Sequence, residues 1–178
     1  MKLKRLLKLF TVPFRNIYSR MYPEKYARYI GVNCGKNLHV YGCVSWGTEP
    51  WIITLGDNVH ITAGCCFVAH DGGTLLFRDR VPDLEITKPI VVGDNVYIGK
   101  ESLILPGVTI GSNVVIGARS VVTKDIPDNS VACGVPARVI KTADEYFEKI
   151  CKESLHLGHL KGEEKDKALR EYYGYKQK

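Results

Sequence analysis

A neutral imidazole can take a proton from a hydroxyl near pH 7, so the histidines are the first residues to weigh. The chain has five, His39, His60, His70, His156 and His159. His70 stands apart. It ends the run CCFVAH and is followed by Asp71, Gly72 and Gly73, where a regular segment gives way to a loop. His60 falls in a turn and faces solvent, and His39 lies in a weakly patterned stretch. His156 and His159 have no motif around them. A base histidine needs a partner to fix its tautomer. Asp71 is adjacent to His70 and points the other way along a strand. Asp57 belongs to the turn LGDN, where an Asp-Asn pair is ordinary turn chemistry. Glu49, in GTEPW, reads on its own as a loop carboxylate before Pro50. The six cysteines, Cys34, Cys43, Cys65, Cys66, Cys133 and Cys151, form no CxxC pair. They are read as small core fillers in a reducing compartment rather than as zinc or redox centres.

The elements that must hold these residues follow from a repeat. Val92, Ile98, Ile104, Ile110, Ile116 and Val122 lie six residues apart and are all β-branched. Gly93, Gly99, Gly111 and Gly117 follow four of them. Four places after each aliphatic stand Val96, Ser102, Val108, Val114, Ser120 and Ile126, all small or aliphatic. An α-helix repeats every 3.6 residues and cannot carry such a period on one face. Six residues fit one short strand plus one corner of a solenoid, with three sides to a coil. The aliphatic points inward and stacks on the next coil, and the glycine is expected to take a corner with positive φ. Leu55, Ile61 and Phe67 continue the repeat upstream, and Val32, Leu38 and Val44 continue it more weakly. The phase breaks between Phe67 and Val92, so residues 70–89 are expected to leave the coil as a loop and build a binding surface.

The ends differ in pattern. Residues 1–30 predict two short helices interrupted at Pro13 and Pro23, packed on the main domain. Leu3, Leu6, Leu7 and Phe10 share a face ringed by lysine and arginine, so residues 1–14 could also touch a membrane surface. The start lacks a cleavage site and no stretch can cross a bilayer, which places the chain in the cytoplasm. From Thr142 the pattern TADEYFEKICKESL predicts a helix with a Thr142–Glu145 capping box, closing the end of the solenoid. The domains expected are a helical segment 1–30, the solenoid 31–141 and a C-terminal helical segment 142–178. The length of 178 residues suits one core rather than two. A net charge of +6 and a pI near 9.0 suggest an anionic partner: nucleic acid, a membrane or a phosphorylated small molecule.

Residues 90–140, IVVGDNVYIGKESLILPGVTIGSNVVIGARSVVTKDIPDNSVACGVPARVI, resemble the hexapeptide-repeat O-acetyltransferases. VVTKDIP and GVPARVI are the most specific part. GTEPWIITLGDNVHITAGCCFVAHDGG resembles the branch that works on capsular and other surface sugars, beside the galactoside and maltose acetyltransferases. The resemblance spans about residues 31–141. It implies a left-handed parallel β-helix, a homotrimer with active sites between subunits, and acetyl-CoA as acyl donor.

The resemblance also assigns residues. His70 matches the general base. Glu49 matches an acidic position near the acceptor, where it could orient His70 or bind a sugar hydroxyl. The oxyanion donor falls on the backbone N–H of Lys100, in YIGK after Gly99, reaching from a neighbouring subunit. Tyr97 stands beside the CoA arm where relatives often carry tryptophan. Ala118 and Thr123 match backbone contacts to pantetheine, with Gly117 allowing close approach. Lys124, Arg138 and Lys141 match basic positions near the CoA phosphates, although Lys141 could equally be a solvated charge. That gives the basic pI a use, and no stacking-aromatic pattern points to nucleic acid. No metal is expected, because no second and third histidine follow His70 at the spacing of the γ-class carbonic anhydrases. The implied function is acetyl transfer to a hydroxyl of a sugar in a surface polysaccharide or its precursor. Alternatives are another small acceptor, such as an antibiotic, an aminosugar amine or serine, or a scaffold without catalysis. Serine acetyltransferases carry a large helical N-terminal domain that 30 residues cannot supply.

Overall fold

The computed structural model describes residues 17–176. The expected face of Leu3, Leu6, Leu7 and Phe10, the break at Pro13 and the membrane contact of residues 1–14 lie outside the described residues. The chain forms two units, Met1–Ala143 and Asp144–Lys178.

Short strands fill the first unit. They are β1 (Asn33–Cys34), β2 (His39–Tyr41), β3 (Ile53–Leu55), β4 (His60–Thr62), β5 (Cys66–Phe67), β6 (Ile90–Val92) and β7 (Val96–Ile98). After them come β8 (Leu103–Ile104), β9 (Thr109–Ile110), β10 (Val114–Ile116), β11 (Val121–Val122), β12 (Ser130–Gly134) and β13 (Ala137–Thr142). They form three sheets: β1-β3-β6-β9, β2-β4-β7-β10-β12-β13 and β5-β8-β11. All pairs are parallel except β12 with β13. Successive strands from β3 to β11 visit the first, second and third sheet in turn, so the chain winds as a three-sided coil. Val96 pairs with Val114, and Val92 with Ile110, one coil of eighteen residues apart.

The six-residue column is the core. Val92, Ile98, Ile104, Ile110, Ile116 and Val122 are all buried. Each such side chain removed from water contributes about 1.5–3 kcal/mol. Ser102 and Ser120 are buried too, and each hydroxyl donates to a corner carbonyl, of Gly99 and Gly117 respectively, at 2.7 Å.

Two details of the repeat differ from expectation. The glycines after the aliphatics do not take positive φ. Gly99 is glycine because a Cβ there would stand 2.4 Å from the Ala118 nitrogen of the next coil. Positive φ falls instead two residues on: on Asn58, Asn95 and Asn113, a residue type that tolerates the left-handed region, and after Gly99 and Gly117 on Glu101 and Arg119. The asparagine amides form a ladder, Asn58 donating to Asn95 at 2.9 Å and Asn95 to Asn113 at 3.2 Å.

The phase of the first coil also differs. Cys34 pairs with Leu55 and Val40 with Ile61, while Ser45 bridges Cys66. The inward column is therefore Cys34, Val40 and Trp46, not Val32, Leu38 and Val44, which hold the second inward position. A cysteine and a tryptophan in place of aliphatics hid this phase. Trp46 is buried and stacks on Phe67, with ring centroids 5.1 Å apart.

Helix α1 (Pro23–Tyr29) covers the first coil. Its Ala27 is fully buried, Glu24 accepts from the Val40 N–H at 3.1 Å, and Arg28 donates to the Cys34 carbonyl at 2.7 Å. Residues 17–21 are helical as well, and the break before Pro23 is where the sequence put it. At the other end β13 folds back antiparallel on β12, an edge strand that the repeat does not announce. Helix α2 (Ala143–Glu153) starts directly after Thr142, and α3 (Gly162–Tyr173) ends at Gly174 with φ 72°. Among the described residues no helix is long and apolar enough to cross a membrane.

Candidate active site

The corner between the third and first sheets carries two insertions in successive coils. Trp46 and Leu55 are nine residues apart instead of six. The excess is a 3-10 turn, Pro50–Ile52, with Glu49 at its start. One coil later the chain leaves after Ala69 and returns at Lys88, whose N–H donates to the Ala69 carbonyl at 2.8 Å. The excursion makes a 3-10 helix, Gly72–Phe77, and its base is closed by a bridge between His70 and Thr87. The loop expected over residues 70–89 is thus a structured arm, and His70 and Glu49 come from neighbouring coils of one corner.

These two side chains meet. His70 Nδ1 lies 2.9 Å from Glu49 Oε2. The Thr48 hydroxyl donates to Glu49 Oε1 at 2.6 Å and lies 3.4 Å from His70 Nδ1. The Thr48 hydroxyl first, and then the imidazole, hold the Glu49 carboxyl below the ordinary carboxylate range. An ionised carboxylate can only accept, so Nδ1 carries the proton, and in the neutral ring Nε2 then holds the lone pair. Such an arrangement can serve general-base chemistry, because the carboxylate selects the tautomer and leaves the other ring nitrogen basic. The His70 side chain is 38% exposed. It opens into a cleft of about 290 Å³ walled by Thr48, Glu49, His70, Thr74, Arg78 and Glu85 among others.

The other carboxylates have local tasks. Asp71 accepts from the Gly73 N–H at 2.9 Å and caps the 3-10 helix. Asp57 Oδ1 accepts from the Lys36 N–H at 2.6 Å, one rung of a turn ladder in which the Asp57 N–H donates to Asp94 at the same distance. His60 is not in a turn. It begins β4, half-buried, stacked on His39 with centroids 4.6 Å apart and 2.9 Å from the Tyr41 hydroxyl.

The remaining sequence-derived positions fall into three groups. Thr123 and Lys124 are exposed on the same corner as His70, two coils on, which is about 10 Å at sheet spacing. Tyr97, Gly99, Lys100, Gly117 and Ala118 cluster at the corner between the second and third sheets. Tyr97 projects outward, 44% exposed, between His60 and Val115. The Lys100 carbonyl accepts from the Arg119 N–H at 2.7 Å, so Lys100 and Ala118 are stacked neighbours. Gly117 is glycine for packing, since a Cβ there would meet that of Cys133 at 2.7 Å. Arg138 and Lys141 lie on β13, opposite Cys133 and Val131. One chain does not bring Lys100 to His70. Lys100 precedes β8 and His70 follows β5, its partner in the third sheet, so the two stand at opposite ends of that sheet.

Sequence reasoning missed Thr48, Arg78 and Glu85. Thr48 had a signal in its place beside Glu49. The other two lie in the arm, where no repeat fixes position.

The description "Bacterial transferase hexapeptide (six repeats)" matches residues 89–124. Protein CapG of Staphylococcus aureus is 42% identical over 154 residues, covering 85% of this chain and 90% of that protein. The solved structure of a maltose O-acetyltransferase from Clostridium difficile 630 superposes with a TM-score of 0.57 at 33% identity, covering 78% of this chain and 84% of that one. A galactoside acetyltransferase in complex with coenzyme A gives a TM-score of 0.51 at 33% identity, covering 70% and 72%. Other curated acetyltransferases are longer, and the chain spans about half of their length. The chain belongs to the hexapeptide-repeat acetyltransferases and is an acyltransferase.

Proposed function

We propose that the chain transfers acetyl from acetyl-CoA to a hydroxyl of a sugar, in a surface polysaccharide or its precursor, with His70 as general base. The observation that carries this is the Glu49–His70 hydrogen bond, which makes Nδ1 the donor to an ionised Glu49 and leaves Nε2 as the ring's basic nitrogen, on a residue that lines the cleft. Acetyl-CoA supplies the activated thioester carbonyl. His70 takes the hydroxyl proton as the oxygen bonds the acetyl carbon, and gives it to the departing thiolate as the C–S bond breaks. Glu49 holds the ring and balances its charge while the proton is on Nε2. The charge that develops on the carbonyl oxygen needs a backbone donor. The Lys100 N–H of a neighbouring subunit serves, because within one chain that residue stands at the far end of the third sheet.

The family supports left-handed β-helices, and the same reasoning favours a homotrimer of them with acetyl-CoA in the groove between subunits. Tyr97, Gly99, Gly117, Ala118 and Thr123 line the extended arm, and Lys124, Arg138 and Lys141 meet the phosphates. The bound coenzyme of the galactoside acetyltransferase supports this choice of donor. We place the reaction in the cytoplasm, in keeping with six unpaired thiols. Replacing His70 by Ala tests the reading. Thiol release from acetyl-CoA with sugar acceptors is expected to fall by about 10²–10⁴-fold, while coenzyme A binding and the oligomer persist. Turnover at the parent rate overturns it.

A further inference from the structure

The arm holds a second polar pair that the proton transfer does not use. Arg78 follows the 3-10 helix and Glu85 lies on the returning limb of the arm, two residues before the bridge at Thr87. Arg78 Nη2 donates to Glu85 Oε2 at 2.7 Å, and Nε donates to the Leu84 carbonyl at 3.1 Å. Glu85 Oε1 accepts from the Thr87 hydroxyl at 2.8 Å. Thr87 is the residue bridged to His70. Thus a continuous set of fixed groups runs from the base to Arg78, and both Arg78 and Glu85 wall the cleft into which His70 opens. The guanidinium has five N–H groups. Those on Nη1 make no hydrogen bond with a described residue, so they remain to donate to a ligand.

We infer that Arg78 and Glu85 form the acceptor-binding side of the site and select an uncharged, hydroxyl-rich acceptor over an anionic one. This deepens the sugar-acetylation reading and rests on it. A sugar hydroxyl is donor and acceptor at once, so vicinal hydroxyls satisfy an Nη1 donor and a Glu85 lone pair together. A carboxylate or phosphate group cannot use Glu85, because it has no proton to donate. The charge of the cleft argues the same way. Its walls carry three carboxylates, Glu49, Asp71 and Glu85, and one guanidinium, already paired. The arm's nearby cation Lys88 runs instead alongside Gly107 of the next coil. An anionic acceptor therefore meets net repulsion at the point where its hydroxyl must reach His70. Leu75, 63% exposed on the same wall, offers an apolar surface of the kind a sugar ring face covers.

The test uses the full-length protein, acetyl-CoA and matched acceptor pairs: methyl glycosides of glucose, galactose and mannose, each against its uronic acid. Thiol release gives kcat/KM for each. The neutral member of the active pair is expected to exceed its uronic acid by about tenfold or more. Arg78→Gln is expected to raise KM for the neutral acceptor about tenfold with little change in kcat, and Glu85→Gln to narrow the gap within the pair. Equal or better use of the uronic acid, or an unchanged KM in Arg78→Gln, overturns the assignment while leaving sugar acetylation intact. Thiol release with serine or an antibiotic and with no sugar overturns both readings. Circular dichroism and coenzyme A binding by each variant separate a lost contact from a lost fold.

Discussion

Glu49 Oε2 and His70 Nδ1 stand 2.9 Å apart, although the two residues come from different coils and each sits on an insertion into the repeat. The regular coil supplies a rigid corner, and the two insertions place one polar group each above it. The bond decides which imidazole nitrogen is basic, and so it makes a prediction that burial alone does not.

Glu49→Gln is nearly isosteric but offers an N–H₂ as well as an oxygen. The amide can donate to Nδ1, which moves the ring proton to Nε2 and removes the base. The expected result is a kcat reduced by about 10²–10⁴-fold with the acceptor KM little changed. Glu49→Asp should restore part of kcat, because it keeps an acceptor-only carboxylate. A KM increase at constant kcat would mean instead that Glu49 binds the acceptor.

The same carboxylate carries a stability signature. Its folded pKa lies below the ordinary 4.5. The stabilisation is thus fully present above that value and is lost as pH falls through the depressed folded value. Glu101, held down by Arg119 at 2.7 Å and then by Lys100, titrates in the same sense. Urea midpoints taken from pH 6 to pH 3 are expected to fall more steeply in the parent than in Glu49→Gln. Parallel curves would refute the link. Exposure of both groups keeps the effect small.

Much of the coil was legible because its period is physical. A strand and a corner take six residues, and the inward position tolerates only apolar side chains, so Ile98, Ile104, Ile110 and Ile116 announce themselves. His70 was legible as the residue at which that order stops. The first coil was misread because Cys34 and Trp46 replace aliphatics in the column and a three-residue insertion follows. The glycines were identified but given the wrong reason, since steric closeness to the next coil and positive φ both select glycine. Arg78 and Glu85 were not legible. Their positions depend on the path of an arm whose only internal order is a short 3-10 helix and a few hydrogen bonds.

The two demands on glycine separate by substitution. Gly99→Ala would put a Cβ 2.4 Å from the Ala118 nitrogen, and backbone cannot yield as a side chain can. A loss of roughly 1–3 kcal/mol is expected from such overpacking. Gly72→Ala, with nothing within 4 Å of the added carbon, should stay within about 0.5 kcal/mol of the parent. Denaturant unfolding measures both, and equal losses would contradict the packing account.

Trp46 links core to site. It fills the inward column on Phe67 at 5.1 Å, two residues before Thr48. Trp46→Ala is expected to cost about 3–5 kcal/mol. Trp46→Phe should recover most of the stability, since it keeps an aromatic partner for Phe67. Because Thr48 and Glu49 follow directly, the Ala variant should also lose kcat at temperatures where it is still folded. Full activity in a folded Trp46→Ala protein would show that the Glu49 turn holds its shape without the core beneath it.

The basic residues answer a separate question, whether the positive charge serves the donor. Lys124 is exposed on the His70 corner, while Arg138 and Lys141 lie on β13 at the end of the coil. If they meet the phosphates of coenzyme A, Lys124→Gln and Arg138→Gln should each raise KM for acetyl-CoA about tenfold, within the range for a charged hydrogen bond, and leave the acceptor KM unchanged. Added salt should weaken acetyl-CoA binding in the parent more than in either variant, because screening removes what the substitution has already removed. Lys141 is the discriminating member. It is half-buried opposite Val131, where a lysine can lie its stem along the sheet with its charge in water. A Lys141→Gln protein with a parent-like KM for acetyl-CoA would assign it that packing role, and a raised KM would place it with Lys124 and Arg138.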